Sequence, residues 1–487
     1  MNANLRALAR RAPALATLWT LTIVASHHRV AAQSDHALSG SWRGDLVTPV
    51  GPLTLVLTLD GGATGAISAP DRGVSGIPVA DVTLGEDGAV TFGVPADAAS
   101  FEGRLAAEDR LVGEWIQAGQ RIEITFERVG DVDAEVVVRP RRQTPRPPFP
   151  YEVEEVAVAA GVRLACTLTR PARGGPDDRP TPGAVLLTVA GPNDRDQTHS
   201  GHKPYLVLAD HLTRSGVAVL RCDDRGVGGS GGSLLDSTMD DLVADALALV
   251  RYLAGRDDVG PVGVIGNSEG SVVGSIAAAR APDEVAFAVL LGGVGVRGAE
   301  VIRERLLAQV RATGEPEDVA QARLAPFDSL IVVVTTAGGV GATRLAESNP
   351  ELYTRLVAIA RDAGANDPFL PADLDERVAL LAGPWYHAQL TLDGGAVLER
   401  VRVPVLALTG SKDRVNLPDQ NLPAIRVALE RAGNPDFEVS EVEGLNHLFQ
   451  TAEEGGLAEY GRLEESFSPA ALEIITRWIL ARFGPAG

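Results

Sequence analysis

The segment Gly266-Asn267-Ser268-Glu269-Gly270 constrains this chain more than any other part of it. It follows an apolar run, Val262–Ile265, and precedes Ser271–Arg280, a stretch of small residues that can be helical. Glycine–x–serine–x–glycine between a strand and a helix describes a turn so sharp that both flanking positions require glycine. The serine hydroxyl then stands above the sheet, and the N–H of Glu269 points toward any oxyanion that forms in front of it. The spacing predicts Ser268 as a nucleophile and Glu269 as one backbone donor of an oxyanion hole.

A serine hydroxyl is a weak nucleophile without a base, and this turn goes with the chain order serine, acid, histidine. After Ser268 the sequence offers His387 and His447. His447 sits in a glycine-led loop behind the strand-like Phe437–Val442, whereas His387 lies in a helical region ahead of the last strand candidates. Order and loop placement select His447 as the base. For the acid, Val405–Leu408 runs into Thr409-Gly410-Ser411-Lys412-Asp413, which puts Asp413 just past a strand end. Its carboxylate can accept the imidazole N–H and fix the tautomer. Asp419 is the alternative, and either aspartate can instead cap a helix or turn. A second oxyanion donor is expected after the early strand Ala184–Val189, in Ala190-Gly191-Pro192-Asn193. Pro192 has no N–H, which leaves Gly191 or Asn193, and the close approach that glycine allows favours Gly191.

From residue 151 onward, strand-like and helix-like runs alternate. Ala184–Val189, Val217–Leu220, Val262–Ile265, Val285–Leu291 and Val405–Leu408 are short and apolar, as in strands buried on both faces, while Asp240–Leu253 has helical spacing. That alternation predicts a mostly parallel, doubly wound α/β sheet in residues 151–487. Between about residues 296 and 400 helices follow one another without strong strands, an insertion suited to be a lid over the sheet's carboxyl edge. Residues 38–138 read differently, as all-β. Leu53, Leu55, Leu57 and Leu59 alternate with Thr54, Val56 and Thr58, and turn residues bound the runs Ala89–Val94 and Arg121–Arg128. A small barrel or sandwich follows from that pattern, with Trp42 and Trp115 either in its core or as aromatic contacts for a bound partner. The Pro- and Arg-rich tract 139–150 separates the two units as an extended linker.

With 44 basic against 64 acidic side chains, the 487 residues carry a formal charge of −20, which argues against nucleic acid or an anionic membrane as partner. The first 32 residues read as an export signal: Arg6, Arg10 and Arg11, then an apolar stretch from Ala14 to Ala25, then small residues at Val30-Ala31-Ala32. The mature protein is therefore expected in the periplasm or outside the cell. No later run approaches the roughly 20 apolar residues of a membrane span. Cys166 and Cys222 both sit in apolar strand-like runs and are expected as buried thiols. The glycine-rich Cys222–Ser230 lacks the register and the ribose-binding acid of a dinucleotide loop, so Asp224 and Arg225 are expected as an ion pair beside the site. His199 and His202 lack the surroundings of a zinc motif. Neither cofactor nor metal is expected. The oligomeric state leaves no trace in the sequence.

The blocks GPNDRD (191–196), DDRGVGGS (223–230), GNSEG (266–270), PVLALTGSKD (404–413) and GLNHLFQ (444–450) resemble, in this order, exported bacterial α/β-hydrolases of the esterase and serine-aminopeptidase group. Ser41-Trp42-Arg43-Gly44 and Gly113-Glu114-Trp115-Ile116-Gln117 resemble the β-domain found before such hydrolases. The resemblance implies an α/β-hydrolase fold and a triad of Ser268, Asp413 and His447, in agreement with the order argument. Two places depart from it: Asn267 stands where the group carries histidine, and the acid region, which the group continues with a Gln-Val pair, here reads Asp413-Arg414-Val415-Asn416. The expected activity is cleavage of small carboxylic esters through an acyl-enzyme. Amide or aminoacyl hydrolysis and thioester hydrolysis use the same triad, and a non-catalytic binding protein is the alternative of another class.

Overall fold

The computed structural model describes residues 38–484 apart from 49–50, 60–64, 70–73, 86, 95–98, 118–119, 130–140, 173–178, 313 and 364–372. The export signal expected at 1–32 and the first residues of the linker, Arg139 and Pro140, lie outside the described residues.

Alternation builds the first unit. Strands β1 (Gly40–Thr48), β2 (Gly51–Leu59), β3 (Gly65–Ala69), β4 (Val74–Leu84), β5 (Ala89–Val94), β6 (Ala99–Ala107), β7 (Arg110–Gln117) and β8 (Gln120–Val129) each pair antiparallel with the next. β8 returns to β1, with Ser41 opposite Val129, and closes a barrel. Every second side chain points inward, as in β5, where Val90, Phe92 and Val94 are buried. Phe92 stacks on Phe101 at 5.0 Å between centroids, and Phe101 meets Phe126 edge-on at 5.7 Å. Each such buried ring contributes roughly 1.5–3 kcal/mol. Trp42 and Trp115 are both buried in this core, and the Trp42 indole N–H donates to the Leu38 carbonyl at 2.9 Å. The tryptophans are thus packing residues rather than surface contacts.

The second unit is an eight-stranded mixed sheet in the order β16-β15-β14-β13-β11-β12-β10-β9. β9 (Tyr151–Ala160) and β10 (Val162–Pro171) form an antiparallel hairpin at one edge, and β10 pairs antiparallel with β12 (Ala218–Cys222). From β12 onward, β11 (Thr181–Leu187), β13 (Val259–Asn267), β14 (Ala288–Leu291), β15 (Val405–Gly410) and β16 (Phe437–Val442) run parallel. β12, β14 and β15 are buried at every residue, which is why they read as unbroken apolar runs. Helices α1 (Pro204–Arg214) and α13 (Pro469–Phe483) pack on one face through Leu208, Leu212, Ile475 and Trp478. On the other lie α2 (Met239–Ala254), α3 (Glu269–Arg280) and α12 (Pro418–Ala432), through Leu249, Ile276 and Ile425.

Between β14 and β15 the chain forms α4 (Gly298–Arg311), α5 (Glu317–Ala322), α6 (Ala325–Ala337), α7 (Ala342–Ser348), α8 (Pro350–Ala363), α9 (Leu374–Ala382), α10 (Pro384–Thr391) and α11 (Gly394–Leu398). This is the helical insertion expected between residues 296 and 400. Within it, Glu317–Ala337 has the length and mean hydropathy of a membrane-crossing helix by composition. Here it is broken into α5 and α6, and Leu330, Val333, Val334 and Ala337 of α6 bury into the insertion's own core. The linker also differs from an extended tether. Gln143 donates to the Phe467 carbonyl and accepts from the N–H groups of Ser466 and Phe467, while Arg141 donates to the Ser200 and Gly461 carbonyls.

Cys166 and Cys222 are joined in a disulfide rather than left as thiols. The two runs looked like independent strands in sequence, but β10 and β12 are neighbours and bring these residues directly opposite one another. The bond closes a loop with a sequence separation of 56 residues. A cross-link of that span stabilises by about 2–4 kcal/mol, chiefly by restricting the unfolded chain. Denaturant unfolding of wild type and Cys222→Ser should differ by that amount under oxidising conditions and converge when reductant is added.

Candidate active site

β13 ends at Asn267, and the next residue, Ser268, has φ +54° and ψ −112° before α3 begins at Glu269. A non-glycine residue in that conformation costs about 1–3 kcal/mol. Space explains the two glycines. A Cβ on Gly266 would lie 2.1 Å from the Gly270 carbonyl carbon, and one on Gly270 would lie 2.1 Å from the Leu187 carbonyl oxygen. The Ser268 N–H donates to the Leu291 carbonyl of β14 at 2.9 Å, and Ser271 closes the turn onto the Ser268 carbonyl. The hydroxyl is thereby held at the carboxyl edge of the parallel strands.

Asp413 and His447 follow β15 and β16 and meet beside it. His447 Nδ1 lies 2.7 Å from Asp413 Oδ2, with both side chains buried. The other carboxylate oxygen of Asp413 accepts from the N–H groups of Val415 and Asn416, each at 2.8 Å. With Nδ1 engaged, Nε2 is the ring nitrogen left for chemistry. Asn446 shapes the histidine loop by accepting from the N–H groups of Leu448 and Gln450. Asp419 sits in the first turn of α12, and His387 lies in α10 with its Cβ against Gly339.

Asn416 had no role in the sequence reading. Its amide donates to the Gly292 carbonyl at 2.7 Å and stands 3.4 Å from Ser268 Oγ. Asn267 is buried below the turn and donates to the His447 carbonyl at 3.4 Å. Its offset from the reacting atoms made it legible only as a neighbour.

The loop after β11 differs from expectation in detail. Val189, Ala190, Asn193 and Gln197 line the cavity that Ser268 and His447 face, whereas Gly191 lies outside that lining. The N–H of Val189 already donates to Gln197 Oε1, and that of Asn193 to Asp224. Asp224 and Arg225 do not pair with each other. Asp224 accepts from Thr188 Oγ1 and the Asn193 N–H, and Arg225 pairs with Asp245 of α2 at 2.6 Å. Asp223 binds Arg195 at 2.8 Å. The glycine-rich turn is thus a frame of side chains holding the β11 loop, and its pairing is fixed by which strands are neighbours.

The cavity has a volume of about 390 Å³. Val272 of α3, Val301 and Ile302 of α4, Leu380 of α9, Trp385 of α10 and Leu392 give it an apolar wall, largely from the insertion. Asn193, Gln197, His199, Arg305 and Tyr460 form polar parts of its lining. Beneath the turn, burial pushes the Glu269 carboxyl up from 4.5 to about 8, reinforced by the nearby Asp224. Burial likewise raises Asp224 from 3.8 to about 7. Both groups hold a proton more tightly folded than unfolded, so their stabilising contribution is full at low pH. It is lost between about pH 4 and 8, as the pH rises through the folded values. Thermal unfolding of Asp224→Asn and Glu269→Gln should show a shallower decline over pH 5–8 than wild type; parallel profiles would contradict the assignment.

Residues 196–313 match the family described as Serine aminopeptidase, S33. The chain is 23% identical over 336 residues to Esterase EstD of Thermotoga maritima, covering 68% of each chain. Est1E of Butyrivibrio proteoclasticus with ferulic acid bound is 15% identical, over 68% of this chain and 100% of that one, with a TM-score of 0.39. Proline iminopeptidase of Mycobacterium smegmatis is 15% identical, over 67% and 98%, with a TM-score of 0.39. The sheet order and the turn at Ser268 give this chain an α/β-hydrolase fold with an eight-stranded β-barrel ahead of its sheet, similar over residues 196–313 to the serine aminopeptidase S33 family and over 336 residues to an esterase.

Proposed function

We propose that this protein hydrolyses carboxylic esters through Ser268, His447 and Asp413. The observation that carries the reading is the His447–Asp413 pair, 2.7 Å apart, whose histidine lines the same cavity as a serine held on a strained turn. His447 Nε2 accepts the Ser268 proton as Oγ attacks the ester carbonyl. The N–H of Glu269, at the first position of α3, holds the oxyanion. Ala190 supplies the second N–H in place of Gly191, since it lines the cavity while the flanking Val189 and Asn193 donors are engaged. His447 returns the proton to the leaving alcohol, leaving an acyl group on Ser268. Water, deprotonated by the same histidine, then releases the acid and restores the serine. The apolar wall from the insertion receives the acyl chain.

Two observations favour an ester over a peptide. The curated relative is an esterase. An aminopeptidase also needs an acceptor for the substrate ammonium, and the carboxyl among the described lining residues is Glu269, already bonded to Trp385 and Gln389. Aminoacyl hydrolysis is the second reading, supported by the family match. Export is part of the proposal, since a disulfide suits an oxidising compartment.

Wild type and Ser268→Ala are compared on p-nitrophenyl esters of increasing acyl length and on aminoacyl p-nitroanilides. Ester turnover abolished in Ser268→Ala, with little anilide turnover in wild type, is the expected result. Asp413→Asn should lower kcat by about 10⁴-fold through loss of the working tautomer. Preferential cleavage of the anilides would move the assignment to a peptidase.

A further inference from the structure

Glu269 contributes its N–H to the proposed oxyanion hole, but its side chain points elsewhere. Its carboxyl is buried and accepts the Trp385 indole N–H at 2.8 Å and the amide of Gln389 at the same oxygen, Oε1. Both donors lie on α10 of the insertion, one helical turn apart, and both line the substrate cavity. Ser268 and Glu269 are consecutive. The group that fixes the wall of the cavity is thus covalently adjacent to the nucleophile, and α10 is tied to the elbow itself.

We propose that Glu269 is a positioning residue, which latches α10 to the nucleophile turn and so sets the distance between Ser268 and the apolar wall that receives the acyl chain. This rests on the esterase reading of the same site. A buried carboxyl accepting two hydrogen bonds from one helix gives the wall a fixed register, and loss of the acceptor leaves two buried donors unpaired. An acetyl group is too short to lean on Trp385 and the residues beyond it, whereas an octanoyl chain must. The consequence is a defect that grows with acyl length. Glutamine preserves the accepting oxygen and the neutral charge, and therefore preserves the latch.

Steady-state kinetics on p-nitrophenyl acetate and p-nitrophenyl octanoate test this in wild type, Glu269→Gln and Glu269→Ala, with active sites counted by a fluorophosphonate probe. Glu269→Ala should lower the octanoate-to-acetate ratio of kcat/KM by about tenfold, through a rise in KM on octanoate, and Glu269→Gln should return that ratio to within about threefold of wild type. If Glu269→Ala does not fold, the double variant Trp385→Phe/Gln389→Leu removes the donors from the other side and should show the same chain-length-dependent KM defect. Equal losses on the two esters, a loss in kcat alone, or failure of Glu269→Gln to rescue would overturn the latch. A wild-type enzyme that the probe does not label at Ser268 would instead sink the serine-hydrolase reading on which it rests.

Discussion

At Ser268 the backbone is held at a positive φ between two glycines that approach other backbone to within 2.1 Å of where a side chain would begin. No other residue type fits at those flanking positions, and the arrangement of the site follows from where this turn sits. It is the carboxyl end of β13, with the parallel neighbours β14 and β15 to one side and β11 to the other. Parallel strands deliver their following loops to one edge. That edge gathers Asp413 from after β15, His447 from after β16, and the Ala190 loop from after β11. The strain costs about 1–3 kcal/mol and is offset by the hydrogen bonds that tie Ser268 to β14 and Ser271.

The ground beneath the turn is polar, and its carboxyls and guanidinium groups are matched. Asp223 holds Arg195, Asp224 holds the Asn193 N–H and Thr188, Arg225 holds Asp245, and Glu269 holds Trp385 and Gln389. Removing one member of such a pair leaves a buried group without compensation, which costs more than the pair gains. These contacts connect three segments far apart in sequence: the β11 loop, α2 and the insertion. Three of the four carboxyls, Asp224, Asp245 and Glu269, hold a proton more tightly than free carboxyls because burial disfavours their charge, which limits the negative charge gathered under the turn.

Much of this was legible in the sequence because it depends on local pattern. Unbroken apolar runs marked the buried parallel strands, alternation marked the barrel, and a sharp turn with obligatory glycines marked Ser268. Chain order then separated His447 from His387 and Asp413 from Asp419. What was not legible depends on which strands lie side by side. Cys166 and Cys222 are bonded because β10 neighbours β12, and Arg225 chooses Asp245 over the adjacent Asp224 because α2 packs across the turn. Gly191 was favoured for its freedom, yet the cavity is lined by Ala190, because the loop is pulled into shape by Asn193 and Asp224. Asn416 stood out only as part of a departure in the acid loop, because its contact with Ser268 Oγ is made across the sheet edge rather than along the chain.

The central claim is that Ser268 forms a covalent acyl intermediate with help from His447. Rapid mixing with a p-nitrophenyl ester, followed by acid quench and mass analysis of the peptide containing Ser268, tests it directly. The account predicts an acyl adduct on Ser268 that accumulates within the first turnover, decays as substrate is exhausted, and does not form in His447→Ala. Ester turnover with no adduct on Ser268, undiminished in Ser268→Ala, would contradict it.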